Sequence, residues 1–212
     1  LSDGKFHKTV SEGTEGAVKR DYETSDGKSG SKWELFADSI QGIITNITIY
    51  EGDFGKQIKI SFGEGEDEVV VSLPTQSSFG EDFMKKLPNI NVNKEVKLSP
   101  YSFEDDKGKK RKGMTVYQGE KFENKIQSHY HEKKDDKYLT FNGCPDLPKK
   151  SKDWDSEEWK LYFGQVRIFL VEEIKKNKLF DKVKMQGITT DEDFEKLNSE
   201  AEKGRPTEEI PF

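Results

Sequence analysis

Two β-branched runs stand close together in 39-SIQGIITNITIY-50 and 56-KQIKISF-62, parted by the turn-rich 51-EGDFG-55. Residues of this kind alternate faces along a pleated strand, so the stretch reads as a long β-hairpin. Working outward, 67-DEVVVSL-73 supplies a third strand after the acidic turn 63-GEGE-66. In 77-SSFGEDFMKKLPNI-90, Phe79, Phe83 and Leu87 recur at helical spacing until Pro88 stops the run, which predicts a short amphipathic helix. A fourth and a fifth strand follow in 94-KEVKLSPYSF-103 and 113-GMTVYQ-118, joined by the charged connector 104-EDDKGKKRK-112.

Three strands, a helix, then two strands is the element order of an OB-fold. The expected fold class is therefore mainly β with added α: a five-stranded OB-fold barrel within residues 37–145, a C-terminal helix within 146–187 and an acidic tail over 188–212. Residues 1–36, rich in Gly, Ser, Lys and Glu, read as a flexible N-terminal arm.

Alternation assigns the faces. Ile43, Thr45, Ile47 and Ile49 share one face of the first strand, and Ile58, Ile60 and Phe62 share one face of the second, both expected inward. Val69, Val71, Leu73, Val96, Leu98, Met114 and Val116 complete the expected inward set. Asn46, Thr48, Tyr50, Gln57, Lys59, Lys97, Thr115 and Tyr117 are left facing outward. Farther on, 153-DWDSEEWKLYFGQVRIFLVEEIKKNKLF-180 is the strongest helical segment, with Asp155 and Glu158 at capping-box spacing. Trp159, Phe163, Val166, Leu170 and Ile174 form its expected buried stripe, with Tyr162 and Phe169 beside it. That stripe suits packing against the barrel or against a second copy of the chain, as in a homo-oligomer.

Of 212 residues, 31% are hydrophobic and 36% charged, so a core covers only part of the chain. Aromatic content of 11% separates it from disordered compositions, which are aromatic-poor. Cys144 is the single cysteine, which excludes an intramolecular disulfide and a cysteine-rich zinc site and fits a reducing, cytoplasmic setting. No apolar run approaches the roughly 18 residues that span a bilayer. Charge is segregated: Lys107 to Lys134 holds nine bases against three acids, while Ile188 onward holds three bases against eight acids. An internal basic patch beside an acidic tail points to a polyanion ligand and a partner-seeking terminus.

Catalytic signatures are not found. The 53-DFG-55 triplet stands without a phosphate-cradling glycine loop, and neither a Walker A motif nor a nucleophile elbow occurs. The pair in 129-HYH-131 has only His7 as a further histidine, too few for a metal site. No enzyme activity, catalytic residue, metal or cofactor is expected. By contrast, 101-YSFEDDKGKKRKGMTVYQ-118 interleaves rings with bases. Aromatic rings stack on nucleic-acid bases while basic side chains follow phosphates. The candidate binding residues are Tyr101, Phe103, Lys107, Lys109, Lys110, Arg111, Lys112 and Tyr117, with Tyr50, Phe54, Lys56 and Lys59 at the other loop.

The final residues, Glu208, Glu209, Ile210, Pro211 and Phe212, closely resemble the acidic tip of bacterial single-stranded DNA-binding proteins. In that family the tip is an interaction peptide whose terminal Phe enters a pocket on a replication or repair protein. The barrel and basic hairpin resemble bacteriophage-encoded single-stranded DNA-binding proteins of the OB-fold type. The resemblance implies a protein that coats unpaired DNA without sequence specificity during replication, recombination or repair, in a bacterial host cytoplasm if phage-encoded. It also implies that the tip recruits partner proteins. Two other readings stay open: an OB-fold adaptor between proteins and an RNA-binding chaperone.

Overall fold

The computed structural model describes residues 3–24, 26–52, 55–134, 137–147 and 153–176, and its first strand begins at Phe6. Strands β1 (Phe6–Val10), β2 (Val18–Glu23) and β3 (Ser29–Ala37) form an antiparallel sheet in the order β1-β3-β2. The flexible arm expected over 1–36 is corrected by this sheet. Its organising group is Glu34 in the central strand, with no exposed surface. Its carboxylate receives Lys32 Nζ at 2.8 Å, His7 Nδ1 at 2.9 Å and Arg20 Nη1 at 3.3 Å. Charges distributed along the sequence look solvated, and only strand pairing gathers them. The sheet is tied to the rest of the chain: Phe6 enters the main core, and Gly4 (φ +77°) lies so close to Ser102 that a Cβ would stand 2.5 Å from its amide nitrogen.

Strands β4 (Ile40–Gly42) and β5 (Ile44–Gly52) are separated by Ile43 alone, and β6 (Gly55–Phe62) and β7 (Val69–Pro74) follow. Helix α1 (Ser78–Lys86) starts at Ser77, whose hydroxyl accepts the Gly80 amide at 3.1 Å. Then come β8 (Val96–Glu104), β9 (Lys110–Gln118), the short β10 (Asn124–Lys125) and a hairpin of β11 (His131–Lys134) and β12 (Lys137–Thr140). Helix α2 (Ser156–Lys176) ends the described chain. The protein is mainly β with two α-helices among the described residues.

The segment 40–52 serves two sheets. Its first part pairs with β8 in the order β10-β9-β8-β4, and its second pairs with β6 in the order β5-β6-β7. A bulge between Ile44 and Asn46 inverts the alternation, so Ile44 and Ile47 are both buried. Ile43, expected inside, is therefore 48% exposed, and Val69 is also exposed. Ile58, Ile60, Phe62, Val71, Leu73, Val96, Leu98, Met114 and Val116 are buried as alternation predicts.

The five strands do not close into a barrel. β7 pairs only with β6 among the described residues, and β9 pairs with β8 and β10. Helix α1 stands along β9 instead. Asp82 Oδ2 accepts the Met114 amide at 3.1 Å, and Lys86 Nζ donates to the Met114 carbonyl. Backbone groups that another strand would pair are thus satisfied by helix side chains.

Helix α2 carries a reciprocal cap: Glu158 N donates to Asp155 Oδ1 and Asp155 N donates to Glu158 Oε2, both at 2.9 Å. Its buried residues are Tyr162, Val166, Leu170, Val171 and Ile174. The expected stripe is corrected at its first turns, where Tyr162 points inward and donates to the Pro145 carbonyl at 3.2 Å. Phe163 is left 41% exposed, stacked on Trp159 at a centroid distance of 5.6 Å. Neighbouring helix positions are about 100° apart, so choosing Tyr162 turns Phe163 outward.

Candidate nucleic-acid interface

The outward face of β5-β6-β7 presents two rungs. Tyr50 lies opposite Gln57, which in turn faces Pro74, and Thr48 lies opposite Lys59, which faces Ser72. Gln57 Oε1 accepts the Tyr50 hydroxyl at 3.0 Å and the Ser72 hydroxyl at 2.6 Å. The Tyr50 ring is thereby held by its polar end, while Lys59 Nζ sits 4.4 Å from its centroid. Ser72 was not singled out from the sequence, because a serine in a strand carries no signal until its neighbour across the sheet is known. Lys56 is exposed but alternates to the opposite face, beside Glu51, so it does not join this group. Phe54 and the tip residues 208–212 lie outside the described residues.

The second group is the β8–β9 hairpin. Tyr101 faces Gly113, and Phe103 faces Arg111. Because Gly113 has no side chain, the Tyr101 ring crosses β9 and its hydroxyl reaches Asp82 Oδ2 at 3.4 Å. Burial, with the Asp82 charge, pushes the Tyr101 phenol up. Phe103 is 55% exposed, 5.8 Å from the Tyr101 ring. At the turn, Asp105 Oδ1 accepts the amides of Lys107 at 3.0 Å and Lys109 at 2.9 Å, and Gly108 takes the left-handed position (φ +71°). Asp105 Oδ2 also holds Arg111 Nε at 2.8 Å. The Lys109 amide first, with Arg111 adding to it, keeps the Asp105 carboxyl below its ordinary value. Lys107, Lys109, Lys110 and Lys112 are exposed and make no ion pair among the described residues. Lys110 and Lys112 stand on the face opposite Phe103 and Arg111.

Tyr117 shares the face of Tyr101 but not its neighbourhood. Thr115, expected to point outward, is buried between them. Half-buried Tyr117 lies opposite Lys97 and Lys125, and Lys97 Nζ is 6.0 Å from the Phe122 ring. The continuous outer platform expected from alternation is thus divided into an Arg111–Phe103–Tyr101 end and a Lys97–Tyr117–Lys125 end.

A separate cavity of about 320 Å³ opens between α1, the β11–β12 hairpin and α2, with Lys85, His131, Tyr138, Trp159, Phe163 and Val166 in its wall. Among the described residues His131 Nδ1 is buried without a hydrogen-bond partner, and Nε2 is 3.7 Å from Cys144 Sγ. Burial pushes His131 down to about 4 and Cys144 up to about 11, so neither forms the ion pair of a thiolate nucleophile at neutral pH. His129 turns instead to Asn89 Oδ1 at 3.0 Å, so the two histidines of 129-HYH-131 do not converge.

The chain matches no protein-family model, and no curated protein or solved structure is significantly similar to it.

Proposed function

We propose that the protein binds single-stranded DNA without reading its sequence and presents its tail to replication, recombination or repair proteins. The observation that carries this is the β8–β9 hairpin. It exposes Phe103 beside Tyr101 and has five bases against three acids between Glu104 and Lys112, one acid being held within the turn. Strand order supports the reading. β7-β6-β5 continues through residues 40–52 into β4-β8-β9, and α1 lies between β7 and β8, the third and fourth of these five strands in chain order. That is OB-fold order with the seam between third and fifth strands open, and OB-folds bind oligonucleotides between the loops that β5–β6 and β8–β9 supply here. In this reading Phe103, Tyr101 and Tyr50 stack on bases and Lys107 and Lys109 at the turn follow phosphates, while Lys110 and Lys112 add their charge from the opposite face. Glu208–Phe212 acts as the docking peptide that its resemblance to bacterial single-stranded DNA-binding tips implies.

A fluorescent oligo-dT titrated at several salt concentrations tests the reading. With about five phosphates neutralised, log K falls against log salt with a slope of roughly −3.5. Equal affinity for duplex DNA, or a flat salt response, overturns it. Stronger competition by oligo-rU than by oligo-dT moves the assignment to RNA.

A further inference from the structure

The N-terminal sheet has one face of unusual composition. Antiparallel rungs set His7 opposite Phe36, Thr9 and Val18 on either side of Glu34, Arg20 opposite Lys32, and Tyr22 opposite Gly30. Opposed residues share a side of the sheet, so this face carries His7, Arg20 and Lys32 with two rings, while Lys8 and Lys19 lie on the other side. Asp21 and Glu23 alternate to the other side. Tyr22 is 47% exposed and Phe36 is 36% exposed. The Tyr22 ring lies across Gly30, where a Cβ would stand 2.7 Å from the phenol oxygen. A ring laid on the sheet in this way turns its outer side to solvent.

Glu34 gives the face its order. A fully buried carboxylate is costly unless its partners are held in place. Burial alone would raise its carboxyl, but Lys32 and His7 outweigh that and hold it below the ordinary value. His7 is itself pushed down, first by burial, so the charges in play near neutral pH are Glu34, Arg20 and Lys32. Two cations are thereby fixed over one anion, beside two exposed rings, with no acid at the surface of this face. The sheet also begins where the first surface ends, since Gly4 packs on the backbone at Tyr101 and Ser102.

We propose that this face is a second contact surface for single-stranded nucleic acid, with Tyr22 and Phe36 stacking on bases and Arg20 and Lys32 meeting phosphates. The inference rests on the single-strand reading above. A strand longer than the β8–β9 hairpin can reach continues onto β1-β3-β2. Polyanion chemistry is favoured over an apolar protein partner because the cations are held in place among the rings and the acids are turned away.

The full chain is titrated with dT oligomers of about 8 and about 30 nucleotides, one within and one beyond the site sizes of roughly 4–16 nucleotides common for such folds. Replacing both rings (Y22A/F36A) weakens the long oligomer at least fivefold per ring and leaves the short one within twofold. R20Q makes the long-oligomer salt slope shallower by about 0.7. Unchanged affinity at both lengths overturns the inference. The lysine variant K109A/K110A/K112A separates the two readings. If it loses the short oligomer while Y22A/F36A changes nothing, the hairpin reading stands and this one falls. If it changes nothing while Y22A/F36A loses the long oligomer, the N-terminal face stands and the hairpin reading falls. No binding by the wild type at either length overturns both. Photo-crosslinking wild-type protein to a 4-thiothymidine oligomer needs no variant to fold. Adducts within 18–36 uphold the second surface, and adducts confined to 101–117 overturn it.

Discussion

Asp82 on α1 accepts the Met114 amide of β9 at 3.1 Å and lies 3.6 Å from Lys86 Nζ. One helix carboxylate thus satisfies a strand's backbone and offsets the charge of a mostly buried lysine, whose ammonium burial pushes below its ordinary value. Among the described residues this contact takes the place of a β7–β9 pairing, and it explains why the sheets stay open.

Replacing Asp82 by Ala leaves the Met114 amide and the Lys86 ammonium without that acceptor. Loss of a buried partner of this kind costs about 1–3 kcal/mol. Urea unfolding should show the loss, and Asp82→Asn, which keeps an acceptor for the amide, should recover part of it. Full stability of Asp82→Ala would mean that the seam is held by apolar packing alone.

Helix α2 allows a comparison of two large residues seven positions apart. Leu170 is fully buried and Phe163 is 41% exposed. Leu170→Ala should cost about 2–5 kcal/mol, whereas Phe163→Ala should cost clearly less than the roughly 3–5 kcal/mol of a buried phenylalanine. Equal losses in chemical denaturation would restore the sequence-based stripe.

His131 makes stability depend on pH. Its folded value of about 4 lies below the ordinary 6.5, so between these values the unfolded chain binds a proton that the folded chain does not. The stability associated with neutral His131 is fully present above pH 6.5 and declines as pH falls towards 4, by about 3 kcal/mol at most. His131→Gln should flatten that part of the unfolding profile. An unchanged profile would show that another group titrates there.

Tyr50 separates ring from hydroxyl. Its hydroxyl donates to Gln57, but Ser72 also reaches Gln57, at 2.6 Å. Tyr50→Phe should therefore hold oligo-dT nearly as well as the wild type, while Tyr50→Ala should lose about 1–3 kcal/mol of binding. If the Phe variant loses as much as the Ala variant, the hydrogen bonds carry the contact and stacking does not.

What the sequence determined by itself is what depends on near neighbours along the chain. The inward set Ile58, Ile60 and Phe62, the α1 repeat of Phe79, Phe83 and Leu87, and the Asp155–Glu158 cap are all as periodicity and spacing predict. The exposed ring of Phe103 beside a basic turn was legible for the same reason. Tertiary structure decided whatever joins residues far apart in sequence. A bulge at Ile44 put Ile43 outside, and the packing of α2 chose Tyr162 over Phe163. Asp82 found Met114, 32 positions away, and Glu34 gathered His7, Arg20 and Lys32 from three strands. Such contacts leave no repeat in the sequence, because the free energy that selects them comes from which surfaces meet after the strands have paired.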